Sequence, residues 1–527
     1  MRLPCCSARM VIILAVLATL TFAGALLLCF WGIPLVIREQ IHQQTRLSEG
    51  TEQWDRFLEL PFALNYSVRF FLVQNPSEVV HNGSVPDLKE SEPYTYSMKL
   101  KKLDHRFDDN DEDSVTYHRE FDFAFDYSGN THPETMVTII NPLLMAALQL
   151  ANSLERLAFA GCIDQLLGSA RLDKPITTQS VKKLLFDGVN FGFTNETGAA
   201  CTAVRNRIIP LLKDVRVVEE VEEETTGTRY FRIAFFNYKT INYLKTPPDG
   251  IYTVNRGQRN MSALGKIMRW NGGTTIPTYG TASSTNNETC HNLRGTDSTI
   301  YPPFLRKDEP IVIYNTDICR TVELFQTNSN LEYRGISGAH KYETNENLLR
   351  PATVTPEQDC YCSKATKNVE AKDDCYLDGT FDYKPCLGAP VILSQPHFLN
   401  ADPKYGKNFT TLKPDKSKHA MYLIVEPNTG TPLEGLKRVQ INTVLRQEPL
   451  ISFITPPTMY QGIIPVLWLE ESFSIPDKYL DLLDNQYFKK VKLATTFKYG
   501  FVGVAAAIFT GCLFLFVRKQ FFKKKSN

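Results

Sequence analysis

The chain has 527 residues, with 58 Lys and Arg against 57 Asp and Glu, so its formal net charge is only +1. This balance excludes a nucleic-acid binder that relies on a strongly basic surface. With 43% hydrophobic and 11% aromatic residues the chain can form large packed cores, which excludes a disordered or low-complexity protein.

Two long segments without charged side chains lie near the ends of the chain. Residues 11–36 and 499–517 contain no Asp, Glu, Lys or Arg. About twenty helical residues cross a hydrocarbon core of about 30 Å, so both segments are predicted to be transmembrane helices. The first is longer than the apolar region of a cleaved signal peptide and lacks a small-residue cleavage site, which favours an uncleaved anchor.

The charges beside these segments orient the chain. The tails at residues 1–10 and 518–527 contain basic residues and no acidic ones, so the positive-inside rule predicts that both tails are cytoplasmic. Seven of the 58 basic residues lie in the tails, which leaves 51 basic against 57 acidic residues between them. Residues 37–498 are therefore predicted to form one extracellular or luminal ectodomain of a two-span plasma-membrane protein.

Both predicted tails contain short motifs with two interpretations. Cys5 and Cys6 precede the first helix and are candidates for palmitoylation, with free cytosolic thiols as the alternative. The chain ends in Lys-Lys-Ser-Asn, which matches a dilysine signal for retrieval to the endoplasmic reticulum. The alternative is that lysines simply end a stop-transfer segment.

The ectodomain shows mainly strand patterns. Residues 66–73, 115–125, 229–236 and 438–445 alternate in polarity or are rich in β-branched and aromatic side chains, which predicts a large antiparallel barrel or sandwich. Helical character is predicted over about residues 141–187, where Asn141 supplies an N-cap and Pro142 the first helical position. This region is either a core helix or a helical cap whose apolar surface meets a hydrophobic ligand.

Glycosylation motifs and cysteines agree with an oxidising compartment. Eight cysteines lie in the ectodomain, and an even number there indicates disulfides, although the sequence alone does not give the connectivity. Six Asn-x-Ser/Thr acceptors for N-linked glycans also lie in it: Asn65, Asn82, Asn195, Asn260, Asn287 and Asn408.

Acidic and cysteine motifs give little support for a metal site. Asp109, Asp111, Asp113 and Glu120 match an EF-hand calcium loop, but Ser114 replaces the required glycine, so an acidic hairpin turn is favoured. The acidic run at residues 219–224 is predicted to be a solvated loop. The Cys-x-Cys motif at 360–362 is too short for the usual zinc spacing, so disulfides are favoured there.

The sequence contains no motif on which an enzymatic function can be based. It has no nucleophile elbow, no phosphate-binding glycine loop and no His-Glu-x-x-His, and its nine histidines are scattered. We therefore predict neither catalysis nor a cofactor nor a metal.

Motifs along most of the ectodomain resemble the class B scavenger receptor family. They include Thr-Asp-Ile-Cys-Arg at 316–320, Ser-Gln-Pro-His-Phe at 394–398 and Lys-Arg-Val-Gln-Ile-Asn at 437–442. Further matching stretches are residues 50–55, 70–79, 93–96, 295–304 and 426–430. Glu92 departs from the glycine usual in the family, and residues 189–233 form a longer connection than usual.

The resemblance implies a fold and a disulfide pattern. The fold is an antiparallel β-barrel with a lipid tunnel, capped by an apical helical bundle and anchored by two transmembrane helices. The pairing implied by position is Cys290–Cys360, Cys319–Cys386 and Cys362–Cys375. Cys162 and Cys201 are extra to this pattern, and either a fourth bridge or two buried thiols would account for them.

The resemblance also implies a function and candidate ligand-binding residues. A receptor of this kind would bind fatty acids, sterols, phospholipids, lipoproteins or anionic particles and pass lipid to the membrane. Basic candidates near the mouth of the tunnel are Arg156, Arg171, Lys174, Lys182 and Lys183, each alternatively an ordinary solvated charge. Apolar candidates are Leu143, Leu144, Leu148, Leu157 and Phe159, each alternatively a core residue.

The same residues are compatible with two other functions. One is a phagocytic or adhesion receptor for apoptotic cells or microbes that moves no lipid. The other is an intracellular, lysosomal or endoplasmic-reticulum sorting receptor. The sequence does not decide whether the chain forms a homo-oligomer.

Overall fold

The structure is a computed structural model that describes residues 8–108, 113–192, 198–213, 215–240, 247, 249–279, 288–349, 355–372 and 374–524. The chain divides into two compact units, one formed by residues 1–46, 334–336 and 475–527, the other by residues 47–333 and 337–474. The α-helices are α1 (Ala8–Leu27), α2 (Ile33–Thr45), α3 (Glu52–Leu58), α4 (Pro76–His81), α5 (Pro142–Leu150), α6 (Ser153–Ala160), α7 (Ile163–Leu167), α8 (Ala199–Lys213), α9 (Asn237–Thr240), α10 (Glu288–His291), α11 (Lys384–Leu387), α12 (Pro403–Gly406), α13 (Lys416–His419), α14 (Asp477–Leu483) and α15 (Lys489–Lys524).

The first unit contains the two apolar helical segments. A π-helical turn, Leu28–Gly32, joins α1 to α2, and another, Asp484–Phe488, joins α14 to α15. The helical segments Met10–Thr45 and Asp477–Lys519 are long and apolar enough to cross a membrane, and they contain the predicted spans 11–36 and 499–517. The rings of Phe22 and Phe509 stack with their centroids 5.2 Å apart, so the two segments pack against each other.

The second unit is built on a large antiparallel sheet. Its strands run in the order β11-β10-β4-β3-β1-β19-β18-β17-β14-β13-β12, with β2 on β1 and the β15–β16 pair on β18. Two smaller sheets, β5–β6 and β7–β9–β8, accompany it. The strands are β1 (Leu64–Val73), β2 (Leu88–Glu90), β3 (Tyr94–Phe107), β4 (Ser114–Phe125), β5 (Met136–Ile140), β6 (Ile176–Ser180), β7 (Val189–Phe191), β8 (Val218–Glu222), β9 (Arg229–Ile233), β10 (Ile251–Asn255), β11 (Ile267–Trp270), β12 (Ile311–Asn315), β13 (Arg320–Tyr333), β14 (Ile336–Thr344), β15 (Thr380–Asp382), β16 (Ile392–Ser394), β17 (Tyr422–Glu426), β18 (Thr431–Leu445) and β19 (Gly462–Ser474).

The two edge strands, β11 and β12, are linked through Gly295 and Thr296. The Ile267 N–H donates to the Gly295 carbonyl at 2.8 Å, and the Tyr314 N–H donates to the Thr296 carbonyl at 2.9 Å. Gly295 has φ of 95°, and a Cβ there would lie 2.4 Å from the Val312 carbonyl oxygen, so only glycine fits. The sheet is thus a nearly closed barrel, which confirms the predicted fold class.

The strand predictions are largely confirmed, with two differences. The strand predicted at residues 229–236 is shorter in the structure, where β9 ends at Ile233. Phe235 and Phe236 instead donate their N–H groups to the carbonyls of Leu184 and Leu185. The acidic run at 219–224, predicted to be a loop, lies mostly in β8, an outer strand of the three-stranded sheet.

The predicted helical region at 141–187 is not one helix. Asn141 caps α5 as predicted, since its side chain accepts the Leu144 N–H at 3.2 Å and Pro142 follows it. The chain then turns at Ala151, which is extended, and Asn152 starts α6 with a capping box to Glu155. Beyond α7 the region also contains β6, so the predicted helical region is a series of short helices followed by a strand. A side-chain cap marks the start of α5 and of α6, whereas α7 starts without one.

Candidate functional site

The second unit encloses a cavity of about 280 Å³. Its wall is mainly apolar and is formed by strands of the large sheet together with α5. This volume lies just below the range of about 300–1,000 Å³ that is usual for small-molecule sites. Representative apolar lining residues are Leu60, Phe62, Tyr66, Phe121, Leu143, Ala147, Phe236, Val322, Ile441 and Phe473.

Strand alternation explains which side chains face the cavity. In β19, residues 469, 471 and 473 line it, and in β13 residues 322 and 324 do so. In these two strands successive side chains point to opposite faces, so every second residue reaches the cavity. The wall extends from α5 to Phe473, which is the second-last residue of β19.

One part of the wall is charged. The Asp317 carboxylate accepts hydrogen bonds from two lysines, from Lys239 Nζ at 2.7 Å to Oδ1 and from Lys437 Nζ at 2.6 Å to Oδ2. Lys437 also lies 3.4 Å from Glu471 Oε2. All four residues line the cavity, and we call them the polar cluster.

The lysines and carboxylates of the polar cluster stabilise each other's charges. Burial alone would raise the pKa of Asp317, but the ammonium groups of Lys239 and Lys437 hold it well below its usual range. Burial likewise works to lower the pKa of Lys437, and Asp317 and Glu471 reverse this and raise it. Asp317 and Lys437 are therefore both charged at neutral pH.

A second buried ionic network lies beside the cavity. Arg119, which lines the wall, forms an ion pair with Asp249 and donates to the Tyr252 hydroxyl at 2.7 Å. Lys102 lies 3.0 Å from Asp297, and neither side chain is accessible to solvent. Burial lowers the pKa of Lys102 to about 8 although Asp297 opposes the shift.

Of the five apolar ligand candidates, the structure places Leu143 on the cavity wall. Leu144, Leu148 and Phe159 are buried in a hydrophobic core shared by the helices and the strands. Leu157 is 53% exposed on the outside of α6. Most of the apolar candidates from residues 141–187 therefore pack in the hydrophobic core.

The five basic candidates do not come together at the cavity. Arg156 forms an ion pair with Glu448 at 2.7 Å and also donates to the Ala151 carbonyl at 2.9 Å. Lys182 lies 3.0 Å from Asp187, whose hydrogen bond and charge raise the pKa of this lysine. Arg171, Lys174 and Lys183 are exposed. Among the residues that the structure describes, the cavity wall includes none of the five.

The sequence analysis did not single out Lys239, Asp317, Lys437 or Glu471 as site residues. Asp317 and Lys437 lie in motifs that carry the family resemblance, but the sequence offers no sign that they meet. The usable signal lies in β19, where Glu471 occupies an inward position between Leu469 and Phe473.

Four disulfides stabilise the second unit. They join Cys290 to Cys360, Cys319 to Cys386 and Cys362 to Cys375, which is the pairing that the resemblance implies. The fourth joins Cys162 to Cys201 and connects α8 to the residue before α7. Cys162 and Cys201 therefore form a fourth disulfide and are not two buried thiols.

The glycan acceptors that the structure describes are Asn65, Asn82, Asn260 and Asn408, and all four are exposed. Asn195, Asn287, Cys5, Cys6, Asp109, Asp111 and the terminal residues 525–527 lie outside the described residues. Within the described part of the chain, no group of three or more His, Cys, Asp or Glu side chains is arranged to hold a metal ion.

Comparison with known proteins assigns the chain to a family. The sequence profile of the CD36 family matches residues 15–516. Sensory neuron membrane protein 2 of Anopheles gambiae is 29% identical, over 92% of this chain and 89% of its own length. The protein of the same name from Manduca sexta is 29% identical over 87% and 85%, and sensory neuron membrane protein 1 of Helicoverpa assulta is 28% identical over 86% and 81%. The chain therefore belongs to the CD36 family, a group of two-span membrane receptors that includes the class B scavenger receptors.

Proposed function

We propose that the chain is a cell-surface receptor that binds lipidic ligands and passes single lipid chains through its cavity toward the bilayer. The observation that supports this is the apolar cavity inside the barrel, whose wall extends from α5 to Phe473. Each methylene group exposed to water costs about 0.8 kcal/mol, so an apolar passage lowers the barrier to lipid transfer. Transfer down a concentration gradient then needs no other source of energy.

The proposal includes a topology with both tails in the cytoplasm and the barrel outside the cell. Its support is the basic tails, the four disulfides and the four exposed glycan acceptors in the second unit. Tags at both termini should be protected from antibody on intact cells, and glycosidase should shift the mobility of the chain. Surface labelling of either terminal tag would contradict this topology.

Narrowing the cavity tests the transfer function. Ala147 lies on α5 and lines the wall, so Ala147→Phe places a ring in the passage. Ala158→Phe on the exposed side of α6 is the matched control, because it adds the same ring outside the cavity. Both variants should show the same thermal unfolding midpoint to within a few degrees, which separates blockage from misfolding.

The assay uses purified full-length chain in liposomes and donor vesicles that contain a fluorescent single-chain lipid. We expect the wild type and Ala158→Phe to accelerate transfer equally over protein-free liposomes, and Ala147→Phe to slow it at least tenfold. Equal transfer by the wild type and both variants would show that lipid does not pass through the cavity. Transfer no faster than in protein-free liposomes would refute the function itself.

A docking receptor that moves no lipid is the second candidate. It is supported by large apolar side chains exposed on two elements that pack together, α6 and the 3₁₀ turn Pro449–Ile451 with the residues that follow it. Leu154 is 78% exposed, Leu450 is 51% exposed and Phe453 is 69% exposed. Particle binding that persists in Ala147→Phe and is lost in Leu154→Ser/Phe453→Ser would favour docking.

A further inference from the structure

Residues 413–420, a segment that we call the flap, are held against the large sheet by one buried side chain. The flap contains α13 and leads into β17. The structure describes all of its residues, and His419, which is 5% exposed, is the only buried one, whereas the three lysines of the flap are exposed. The buried apolar anchors of this part of the chain, Phe409 and Leu412, precede the flap. The flap therefore depends on His419 for its burial against the sheet.

His419 packs against a second histidine and a tryptophan. Its ring lies parallel to that of His397, with centroids 4.3 Å apart, and edge-on to Trp468 of β19 at 5.9 Å. His419 Nδ1 accepts the Asp415 N–H at 3.0 Å, and His397 Nδ1 accepts the Lys413 N–H at 3.1 Å. Both histidines thus hold the backbone of the flap as hydrogen-bond acceptors, and an imidazole nitrogen can accept only while it carries no proton.

His397 is fixed to the barrel, whereas His419 belongs to the flap. His397 has a φ of 55° and Asn400 a φ of 58°, a left-handed conformation that residues other than glycine rarely adopt. Such backbone strain persists only where the surrounding contacts impose it. The His397 N–H donates to Gln440 Oε1 at 2.7 Å and its Nε2 donates to Glu90 at 2.6 Å, and these two bonds hold it in place. His419 is therefore the ring of the stacked pair that can leave.

The charges around His419 give it no strong anionic partner. The ionisable groups that act on it are His397, Glu90 of β2, Asp415 of the flap and Arg438 of β18. The charges next to these groups are Arg69, 3.6 Å from Glu90, Lys418, 4.0 Å from Asp415, and Glu470, 2.6 Å from Arg438. Among the described residues, no carboxylate accepts a hydrogen bond from the His419 ring. Burial and the charge of His397 therefore prevail and lower the pKa of His419 to about 4.

We propose that the flap is an acid-operated device, which is closed over Trp468 at neutral pH and is released from the sheet when the pH falls to about 5.5. A proton on His419 Nδ1 replaces the acceptor by a donor that meets the Asp415 N–H, and it places a cation against the His397 ring. Release uncovers Trp468, over whose ring the Arg69 guanidinium lies at 4.6 Å. The receptor thus presents a different outer surface in acid. The inference does not depend on lipid transfer.

The size of the effect follows from the two protonation states of His419. In the released flap His419 has the usual pKa of about 6.5 and is mostly protonated at pH 5.5, whereas in the closed flap it remains neutral. The equilibrium constant for release is therefore about tenfold larger at pH 5.5 than at pH 7.4.

Amide hydrogen exchange of the full-length chain in nanodiscs measures this release. Exchange rates of the flap, corrected for the chemical exchange rate at each pH, should rise about tenfold from pH 7.4 to pH 5.5 in the wild type. His419→Gln keeps a side-chain acceptor but does not titrate, so its corrected rates should be the same at both pH values. His81→Gln, which replaces an exposed histidine on α4, is the matched control and should behave as the wild type does.

Trp468 gives a second measurement on the folded wild type. Its fluorescence, taken as the difference between the wild type and Trp468→Phe, should be quenched more strongly by acrylamide at pH 5.5 than at pH 7.4. Unchanged quenching would show that the flap does not uncover this ring, and the proposal would be wrong.

The exchange data can overturn the proposal in three ways. Equal corrected rates of the wild-type flap at both pH values would show that acid does not release it, and a tenfold rise in His419→Gln would assign the effect to another group. An equal rise in β4, at residues 115–125, would mean that the whole unit opens and that the flap is not a separate device. If His419→Gln does not fold, the pH profile of the wild type decides: the corrected rate should rise about tenfold for each pH unit below about 6.5, as one proton requires, and a flat profile would refute the proposal.

Discussion

Two stacked, buried histidines beside the large sheet make a pH dependence of stability predictable. The rings of His397 and His419 lie parallel, with centroids 4.3 Å apart and an angle of 8° between their planes. His419 Nδ1 accepts the Asp415 N–H at 3.0 Å, and His397 Nδ1 accepts the Lys413 N–H at 3.1 Å. His397 Nε2 in turn donates to Glu90 at 2.6 Å. Protonation of His419 at Nδ1 would break its hydrogen bond and place a new charge against the neighbouring ring.

The size of the effect follows from the pKa of His419. Burial, together with the charge of His397 and a smaller contribution from Arg438, lowers this pKa to about 4 although Glu90 and Asp415 oppose the shift. A histidine in the unfolded chain has a pKa of about 6.5. Between these two values the unfolded chain binds a proton that the folded chain does not, so stability falls as the pH falls from about 6.5 to 4. The gap corresponds to about 3 kcal/mol.

Chemical denaturation of the full-length chain in detergent at pH 7, 5.5 and 4 measures this loss. Carboxylates also respond to acid, so the relevant quantity is the difference between the wild type and His419→Gln, whose amide oxygen can still accept the Asp415 N–H. We expect the wild type to lose about 3 kcal/mol more than this variant between pH 7 and pH 4. The exposed His81→Gln is the control and should follow the wild type. Parallel pH profiles for the wild type and His419→Gln would refute the reasoning.

Three further changes should alter stability, measured as the unfolding midpoint of the same preparation. Asn152→Ala removes the capping box of α6 and should cost about 1 kcal/mol, whereas Asn152→Ser should retain most of it; equal losses would rule out capping as the cause. Replacing Cys162 and Cys201 together by serine opens a loop with a sequence separation of 39 residues and should cost about 4 kcal/mol, and a loss below 1 kcal/mol would show that the bridge contributes little. Gly295→Ala would place a Cβ 2.4 Å from the Val312 carbonyl and should cost more than Gly272→Ala, where φ is also positive but the space is open. A smaller effect at Gly295 would mean that this segment does not close the sheet.

The parts of the fold that sequence reasoning predicts are those determined by local pattern. A run without charges is a membrane-spanning helix because the length of the bilayer core sets the length of the run. Alternation over residues 115–125 predicts β4 because each second side chain of a strand is buried. The same local reasoning fails at Ala151, where the apolar run continues but Asn152 begins a new helix.

The cavity could not be predicted in this way because its residues meet only through long-range strand order. Asp317 and Lys437 are 120 residues apart in sequence, and Lys239 is 78 residues from Asp317. No periodicity relates these positions. Their contact depends on the neighbours of β12 and β18 in the sheet, and the pairing order of the strands is not encoded in any single strand.

The ligand candidates drawn from residues 141–187 illustrate a general difficulty of reading function from apolar excess. Leu144 and Leu148 are 0% and 1% exposed, because helices that cover a sheet must fill the core between the two layers before any apolar surface is left for a ligand. Charged residues on inward strand positions are the more informative signal. A barrel interior buries a lysine only if a carboxylate accompanies it, as Asp317 accompanies Lys239 and Lys437. Such a group of charges in an otherwise apolar wall is therefore a better guide to the cavity than the number of leucines is.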